Sequence, residues 1–308
     1  MRMDVDPRGC AQKIIDIHGQ AGVEWLNRLP ALVTDCAQRW SLTVLPPFEN
    51  LSYNYVAPAV RKDGTAVVLK AGVPHPELWR EMEALRCFDG EGIVRLLDAD
   101  ADQGVLLLER LLPGTALESL EDDEQVTHIA AQVMQRLWKA APLEHAFATV
   151  AGWGRGLRNL RATFEGGYGP FPRAVVDRAE GLFHDFSSSG GEPALIHGDM
   201  HPQNILKSER EPWLAIDPKG VVGDRLYDVA TFVCSLQGRS ESQLRGALER
   251  RVNQLAEMLG FERGRILEWG LAQSVLSGWW SYEDHGHGWE GAFARAELCA
   301  SLLSGIRG

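Results

Sequence analysis

The chain has 308 residues, 45% of them hydrophobic, which is enough for one large domain or two of ordinary size with sizeable cores. Its 31 Lys and Arg against 42 Asp and Glu leave a net charge of −11, which disfavours a nucleic-acid backbone as partner and favours a cationic one. No apolar run follows the first residues and none approaches membrane-spanning length, so neither a secretory signal nor a membrane partner is expected. Five cysteines, Cys10, Cys36, Cys87, Cys234 and Cys299, are odd in number and far apart, and read as buried thiols of a reducing cytoplasm.

Residues 25–33 and 36–40 put apolar side chains at helical spacing, and Pro30 serves as the break near a helix start, so two leading helices are predicted. After Pro46-Pro47 the pattern shortens to strand-like runs at 53–57 and 66–70, joined through Lys62-Asp63-Gly64-Thr65. Asp-Gly between two such runs predicts a hairpin. A helix is predicted over 76–88, and two further strands over 93–100 and 104–109, before Pro113-Gly114 closes the region. Helical patterns then dominate at 126–140, 172–186, 228–235, 243–259 and 266–282, with a glycine-bearing stretch at 152–169 and a polar loop at 186–193. The reading is an α+β chain: residues 1–108 form an N-terminal nucleotide-binding lobe with leading helices, and 109–308 a helical catalytic and acceptor-binding lobe. A cleft between two such lobes is where a ligand is expected. With no coiled-coil heptad, a monomer is expected.

The chemistry concentrates in Ile196-His197-Gly198-Asp199-Met200-His201-Pro202-Gln203-Asn204-Ile205-Leu206, followed by Leu214-Ala215-Ile216-Asp217-Pro218-Lys219-Gly220. A strand-like run enters the first loop and another leaves it. Phosphoryl transfer from a nucleotide needs one carboxylate for the acceptor hydroxyl, and an amide and a second carboxylate for magnesium. Asp199 suits the first role, while Asn204 and Asp217 suit the metal. The ordinary alternative for these three is a hydrogen-bonded turn and a strand-ending cap. His197 and His201 flank Asp199 but have no third ligand at zinc spacing, so loop-stabilising hydrogen bonds are expected of them. Structural pairing is likewise expected of Lys219, Asp224 and Asp228.

Lys70 ends an apolar strand, where its ammonium can emerge toward a phosphate, and a carboxylate on the next helix can hold it in place. Glu81 is preferred to Glu77 and Glu83 because Trp79, Met82, Leu85 and Phe88 set an apolar stripe beside it. Backbone groups from Glu109 to Leu111 are placed to meet an adenine edge. Neither glycine-rich phosphate motif occurs, and the equivalent turn is 49–54, where backbone amides with Ser52 or Asn54 would meet phosphates. An acceptor pocket is expected between the catalytic loop and the segments holding Trp279-Trp280 and Asp284-His285. Glu118, Asp122, Asp123, Asp284 and Glu290 are its candidate acids.

At these residues the chain resembles the aminoglycoside phosphotransferase family through the HGDxxxxN loop at 197–204, with Asp217, Lys70, Glu81 and the stretch from Glu109 to Leu111 matching its other site positions. Asp217-Pro218-Lys219-Gly220 narrows the resemblance to the streptomycin 6-phosphotransferase and hydroxyurea phosphotransferase branch. The resemblance implies a bilobal protein-kinase-like fold, a small antiparallel-sheet lobe plus a larger helical lobe. It also implies ATP and Mg2+ as cofactors and O-phosphorylation of a small cationic polyol, streptomycin before hydroxyurea or a metabolite. The Phe-Gly and APE features of protein kinases are absent.

Overall fold

Alternating apolar residues and the Asp63-Gly64 turn organise the first part of the chain as their spacing predicts. In the computed structural model, which describes residues 10–49, 51–188, 192–236 and 241–307, helices α1 (Cys10–His18) and α2 (Gln20–Arg39) lead into strand β1 (Leu42–Val44). Strands β2 (Tyr55–Arg61) and β3 (Ala66–Ala71) follow as the hairpin, then helix α3 (Pro76–Phe88), and strands β4 (Leu96–Asp100) and β5 (Val105–Glu109). The five strands form one sheet in the order β1-β2-β3-β5-β4, antiparallel throughout.

Trp25, Leu29, Val33 and Cys36 recur at helical spacing along α2, and with Cys10 and Ile14 of α1 they share a buried cluster with Tyr55, Leu69, Ala71 and Val105 of the sheet. Two leading helices are present, but the break lies at Gly19, whose φ is 55°, and not at Pro30. Pro30 sits inside α2 on its exposed side. A proline removes one backbone donor and crowds one carbonyl, a local cost that the buried stripe of the rest of the helix outweighs.

Beyond Pro113 the elements are β6 (Pro113–Ala116), α4 (Asp123–Leu137), the short strands β7 (Lys139–Ala140) and β8 (Ala148–Thr149), and helices α5 (Val150–Gly154), α6 (Leu157–Thr163) and α7 (Arg173–Ser188). Next come β9 (Ala194–Ile196), β10 (Ile205–Ser208), β11 (Trp213–Ala215) and β12 (Val221–Gly223), and helices α8 (Leu226–Cys234), α9 (Glu241–Leu259), α10 (Arg263–His285) and α11 (Glu290–Arg307). The chain divides into two compact units, Met1–Gly114 with Ser208–Arg210, and Thr115–Lys207 with Glu211–Gly308. The sequence places this joint after residue 108. In the structure the run from Glu109 to Gly114 stays with the first unit, where Glu109 still pairs with Val67 in the sheet.

All nine residues of α8 are buried, which makes it the central helix of the second unit, packed against α9 and α10. Two small sheets position the functional loops. β9 runs antiparallel to β12, with Ile196 opposite Val221, and β10 and β11 form a hairpin with Ile205 opposite Ala215. The loop leaving β9 therefore lies beside the loop joining β11 to β12. Among the described residues no helix is long and apolar enough to cross a membrane.

Candidate active site

In the first unit, Lys70 lies on β3 between Val56 and Leu106 of its neighbours, with its side chain buried. Its Nζ stands 2.6 Å from Oε1 of Glu81. Glu81 is the one buried glutamate of α3, set among Leu78, Met82 and Leu85, while Glu77 and Glu83 are exposed. Trp79, expected on that stripe, instead faces outward and donates its indole N–H to the carbonyl of Ala101. Leu78 holds the stripe position because it precedes Met82 by four residues, one helical turn.

Ser52 is exposed in the segment between β1 and β2, and Asn50 of the same expected phosphate turn lies outside the described residues. Asn54 of the same turn packs against Gly72, where a Cβ would stand 2.2 Å from Oδ1 of Asn54 and force that side chain to move. Leu111 is buried. The Glu109 carboxylate is engaged structurally, accepting from Nη2 and Nε of Arg210 at 2.6 and 3.1 Å and from the backbone N–H of Arg95 at 2.8 Å. Its backbone N–H is engaged as well, donating to the carbonyl of Arg95 at 3.0 Å.

In the second unit the predicted catalytic loop hangs on Asp228. This carboxylate, fully buried near the start of α8, accepts from the backbone N–H groups of His197 at 2.9 Å and Gly198 at 2.7 Å, and from Nε1 of Trp138 at 3.0 Å. Burial pushes its pKa up, and the three donors oppose that shift. Gly198 has φ 83°, and a Cβ there would come within 2.7 Å of Val221 and 3.0 Å of Trp153, so the turn admits only glycine.

His197 ties the loop to the second functional segment. Its Nε2 lies 2.8 Å from the carbonyl of Ile216, and its Nδ1 accepts from the backbone N–H of Asp199 at 3.2 Å. With Nδ1 accepting, Nε2 is the nitrogen placed to donate to Ile216. Lys219 donates its backbone N–H to the carbonyl of His197 at 2.8 Å, and Ile216 donates to that of Asn204 at 2.9 Å. Asn204 is buried and its Nδ2 donates to the carbonyl of Asp199 at 3.0 Å, which leaves the amide oxygen as its acceptor. Asp217 lies two residues beyond the end of β11 with φ 57°, a left-handed conformation that turns the chain sharply before Pro218. Thus Asp199, Asn204 and Asp217 are brought together through a short hydrogen-bonded path. His201 stands 3.8 Å from Asp199, and burial holds its pKa below the usual imidazole value. Asp224 accepts from the backbone N–H of Leu226 at 2.9 Å and from Nε1 of Trp269 at 3.2 Å, a structural role as expected.

Asp199 borders a cavity of about 350 Å³ within the second unit, lined also by Glu118, Glu121, His201, Gln273 and Ser277. Of the candidate acids, Asp123 is paired with Arg251 at 2.8 Å and Asp122 caps α4 through the N–H of Glu124. Asp284 and Glu290 are exposed and do not line this cavity, contrary to the expectation for Asp284. The wall from α10 is Gln273 and Ser277, and Asp284 lies seven residues farther on, about 10 Å along the helix axis. Trp279 belongs to the core, against Phe171 and Tyr282, and Trp280 meets Trp153 edge-on. Gln273 and Ser277 escape sequence reasoning because polar residues scattered in a buried helix carry no periodic signal.

Residues 41–285 match the model of the family described as aminoglycoside/hydroxyurea antibiotic resistance kinase. The chain belongs to this family. The kinase is 34% identical to the streptomycin 6-kinase of Streptomyces griseus over 284 residues, covering 90% of this chain and 91% of that one. It is equally 34% identical to the hydroxyurea phosphotransferase of Kitasatospora aureofaciens, over 86% of this chain and 77% of that protein. Among solved structures, a thermostable mutant of the aminoglycoside phosphotransferase APH(4)-Ia, in ternary complex with ADP and hygromycin B, superposes with a TM-score of 0.62 at 14% identity, covering 89% of this chain and 98% of that one. That likeness shows the protein-kinase-like α+β fold implied by the sequence: an antiparallel-sheet unit and a larger helical one.

Proposed function

We propose that this kinase is a streptomycin 6-kinase, transferring the γ-phosphoryl group of ATP to the 6-hydroxyl of the streptidine ring. The observation that carries the reading is the cavity of about 350 Å³ that Asp199 shares with Glu118 and Glu121. Its size suits a bulky acceptor, and Glu118 and Glu121 suit guanidinium groups, which pair with carboxylates through forked hydrogen bonds. Hydroxyurea, the acceptor of the second group of relatives, has only a handful of heavy atoms and no cationic group to use these acids.

In this reading Asp199 orients the acceptor hydroxyl and takes its proton as the oxygen bonds to phosphorus and ADP leaves. Positioning contributes most of the rate, because a loose transition state needs little proton abstraction until late. The Asn204 amide oxygen and the Asp217 carboxylate are the donors a hard cation takes, and the hydrogen bond from Nδ2 to Asp199 fixes that amide so that its oxygen is the ligand atom. Magnesium, when bound there, would draw charge from the phosphate oxygens. Lys70, held by Glu81, meets the nucleotide phosphates. Backbone from Glu109 to Leu111 receives the adenine edge, and the segment at Ser52 receives phosphate. The acceptor is a small cationic polyol, and the enzyme works as a cytoplasmic monomer.

Measuring ADP release with streptomycin, other aminoglycosides, hydroxyurea and hydroxyl-bearing metabolites tests the proposal. Streptomycin-dependent release with phosphate at the 6-oxygen is expected, and its absence refutes the assignment.

A further inference from the structure

The acceptor cavity contains a second charge that a purely cationic substrate leaves unexplained. Arg295, on α11, lines it together with Gln273 and Ser277. The other guanidinium on the wall, Arg251, is fully engaged: it donates to Asp123 at 2.8 and 3.2 Å and to the carbonyl of Phe232 at 2.9 Å. Arg295 forms no such ion pair with a described residue, and its Nε is buried without a hydrogen-bond partner. Arg295 is only partly buried, so its guanidinium stands at the cavity wall with no described carboxylate paired to it, where an oxygen-bearing ligand can supply acceptors.

We infer that Arg295 is a specificity-determining residue that receives uncharged oxygen atoms of the acceptor, with Gln273 and Ser277 beside it. This inference rests on the reading of Asp199 as the acceptor-side carboxylate. The cavity then has two polarities. Glu118 lines it beside the catalytic loop with Asp199, whereas Arg295 lines it from α11. The substrate class that satisfies both is a cationic ring joined to an oxygen-rich, uncharged portion. A compact polycation carrying amines throughout would meet repulsion at Arg295. Gln273 and Ser277, four residues apart on α10, present one amide and one hydroxyl on the same face, adaptable partners for hydroxyl or carbonyl oxygens.

The test compares Arg295→Ala and Arg295→Lys with the parent enzyme, using ATP and the acceptor that the parent phosphorylates, streptomycin on the reading above. Arg295→Ala is expected to raise the acceptor KM about tenfold or more while the nucleotide KM stays within about twofold. Arg295→Lys keeps the charge but loses the fork, and is expected to fall between the two. Streptidine, which carries the guanidinium groups without the sugars, should show a KM that responds less than about threefold to Arg295→Ala. An acceptor KM within about twofold of the parent in the alanine variant overturns the inference and leaves the streptomycin assignment standing. Absence of streptomycin turnover in the parent refutes that assignment instead, and the same comparison is then decided on whichever panel compound is phosphorylated. Should circular dichroism show Arg295→Ala unfolded, the lysine variant decides, and an unchanged acceptor KM in it overturns the inference.

Discussion

Asp228 accepts the backbone N–H of Gly198 at 2.7 Å, one residue before the candidate catalytic carboxylate, so a buried side chain of α8 sets the path of the catalytic loop. Removing it leaves three donors, including the N–H of His197 and the indole of Trp138, without their partner. Asp228→Ala is expected to destabilise the protein by roughly 2–4 kcal/mol and to lower kcat in the fraction that folds. Urea unfolding of variant and parent checks the first part, and active-site-normalised turnover the second. Equal stability of the two would show that the loop does not depend on this anchor.

The ion pair of Lys70 and Glu81 is buried, with only 4% and 10% of the side chains exposed. Breaking such a pair from one side takes the ion-pair partner from the other charge, at a cost of about 3–5 kcal/mol, whereas replacing both by apolar groups is closer to neutral. Glu81→Leu alone should therefore lower stability more than the double replacement Lys70→Met with Glu81→Leu. Activity should follow a different order, because the double variant lacks the ammonium proposed to meet phosphate and is expected to stay inactive. Thermal unfolding alongside ADP release separates the two effects. Recovery of turnover in the double variant would remove Lys70 from the nucleotide site.

Asp199 and Asp217 are expected to fail in different ways. Asp199→Ala should lower kcat by about 10²–10⁴ with nucleotide affinity nearly unchanged, since its work is on the acceptor hydroxyl. Asp217→Ala should instead abolish productive nucleotide binding and its dependence on magnesium. Titration calorimetry with a nonhydrolysable ATP analogue, with and without magnesium, tells them apart. Near-parent turnover in Asp199→Ala would exclude it as the essential carboxylate.

The sequence makes these residues legible because their spacing is set by covalent chain length: a strand, a loop long enough to turn back, and a second strand carry Asp199, Asn204 and Asp217 to one place. The Asp63-Gly64 hairpin and the Lys70 strand are legible for the same local reason. Asp228 is visible only as a possible anchor, since its contact with Gly198 spans thirty residues and appears in no local pattern. Pro30 misleads because burial of Trp25, Leu29 and Val33 overrides one lost backbone bond. α11 gives no signal because Gly291 and Gly305 weaken the helical pattern in its first and last turns and its apolar residues spread around the helix, partly against α10. Long-range packing also decides which acids reach the cavity.

That last point is itself testable, since Glu118 and not Asp284 lines the cavity that holds Asp199. Glu118 follows Leu117, a fully buried residue that fixes the short turn beside residues 202–204, and so borders the cavity next to Asp199. Its side chain is solvated in the absence of ligand, and a guanidinium entering the cavity would gain a forked pair there. Glu118→Gln preserves shape and removes charge, and is expected to raise the streptomycin KM by about fivefold to fiftyfold, with the nucleotide KM unchanged. High salt should shrink the difference, because the contact is partly open to solvent. Asp284→Asn, exposed in the last turn of α10 and off the cavity wall, should leave both constants as in the parent. Steady-state kinetics on the two variants side by side decide it: a raised acceptor KM in Asp284→Asn with none in Glu118→Gln would return the pocket to the end of α10.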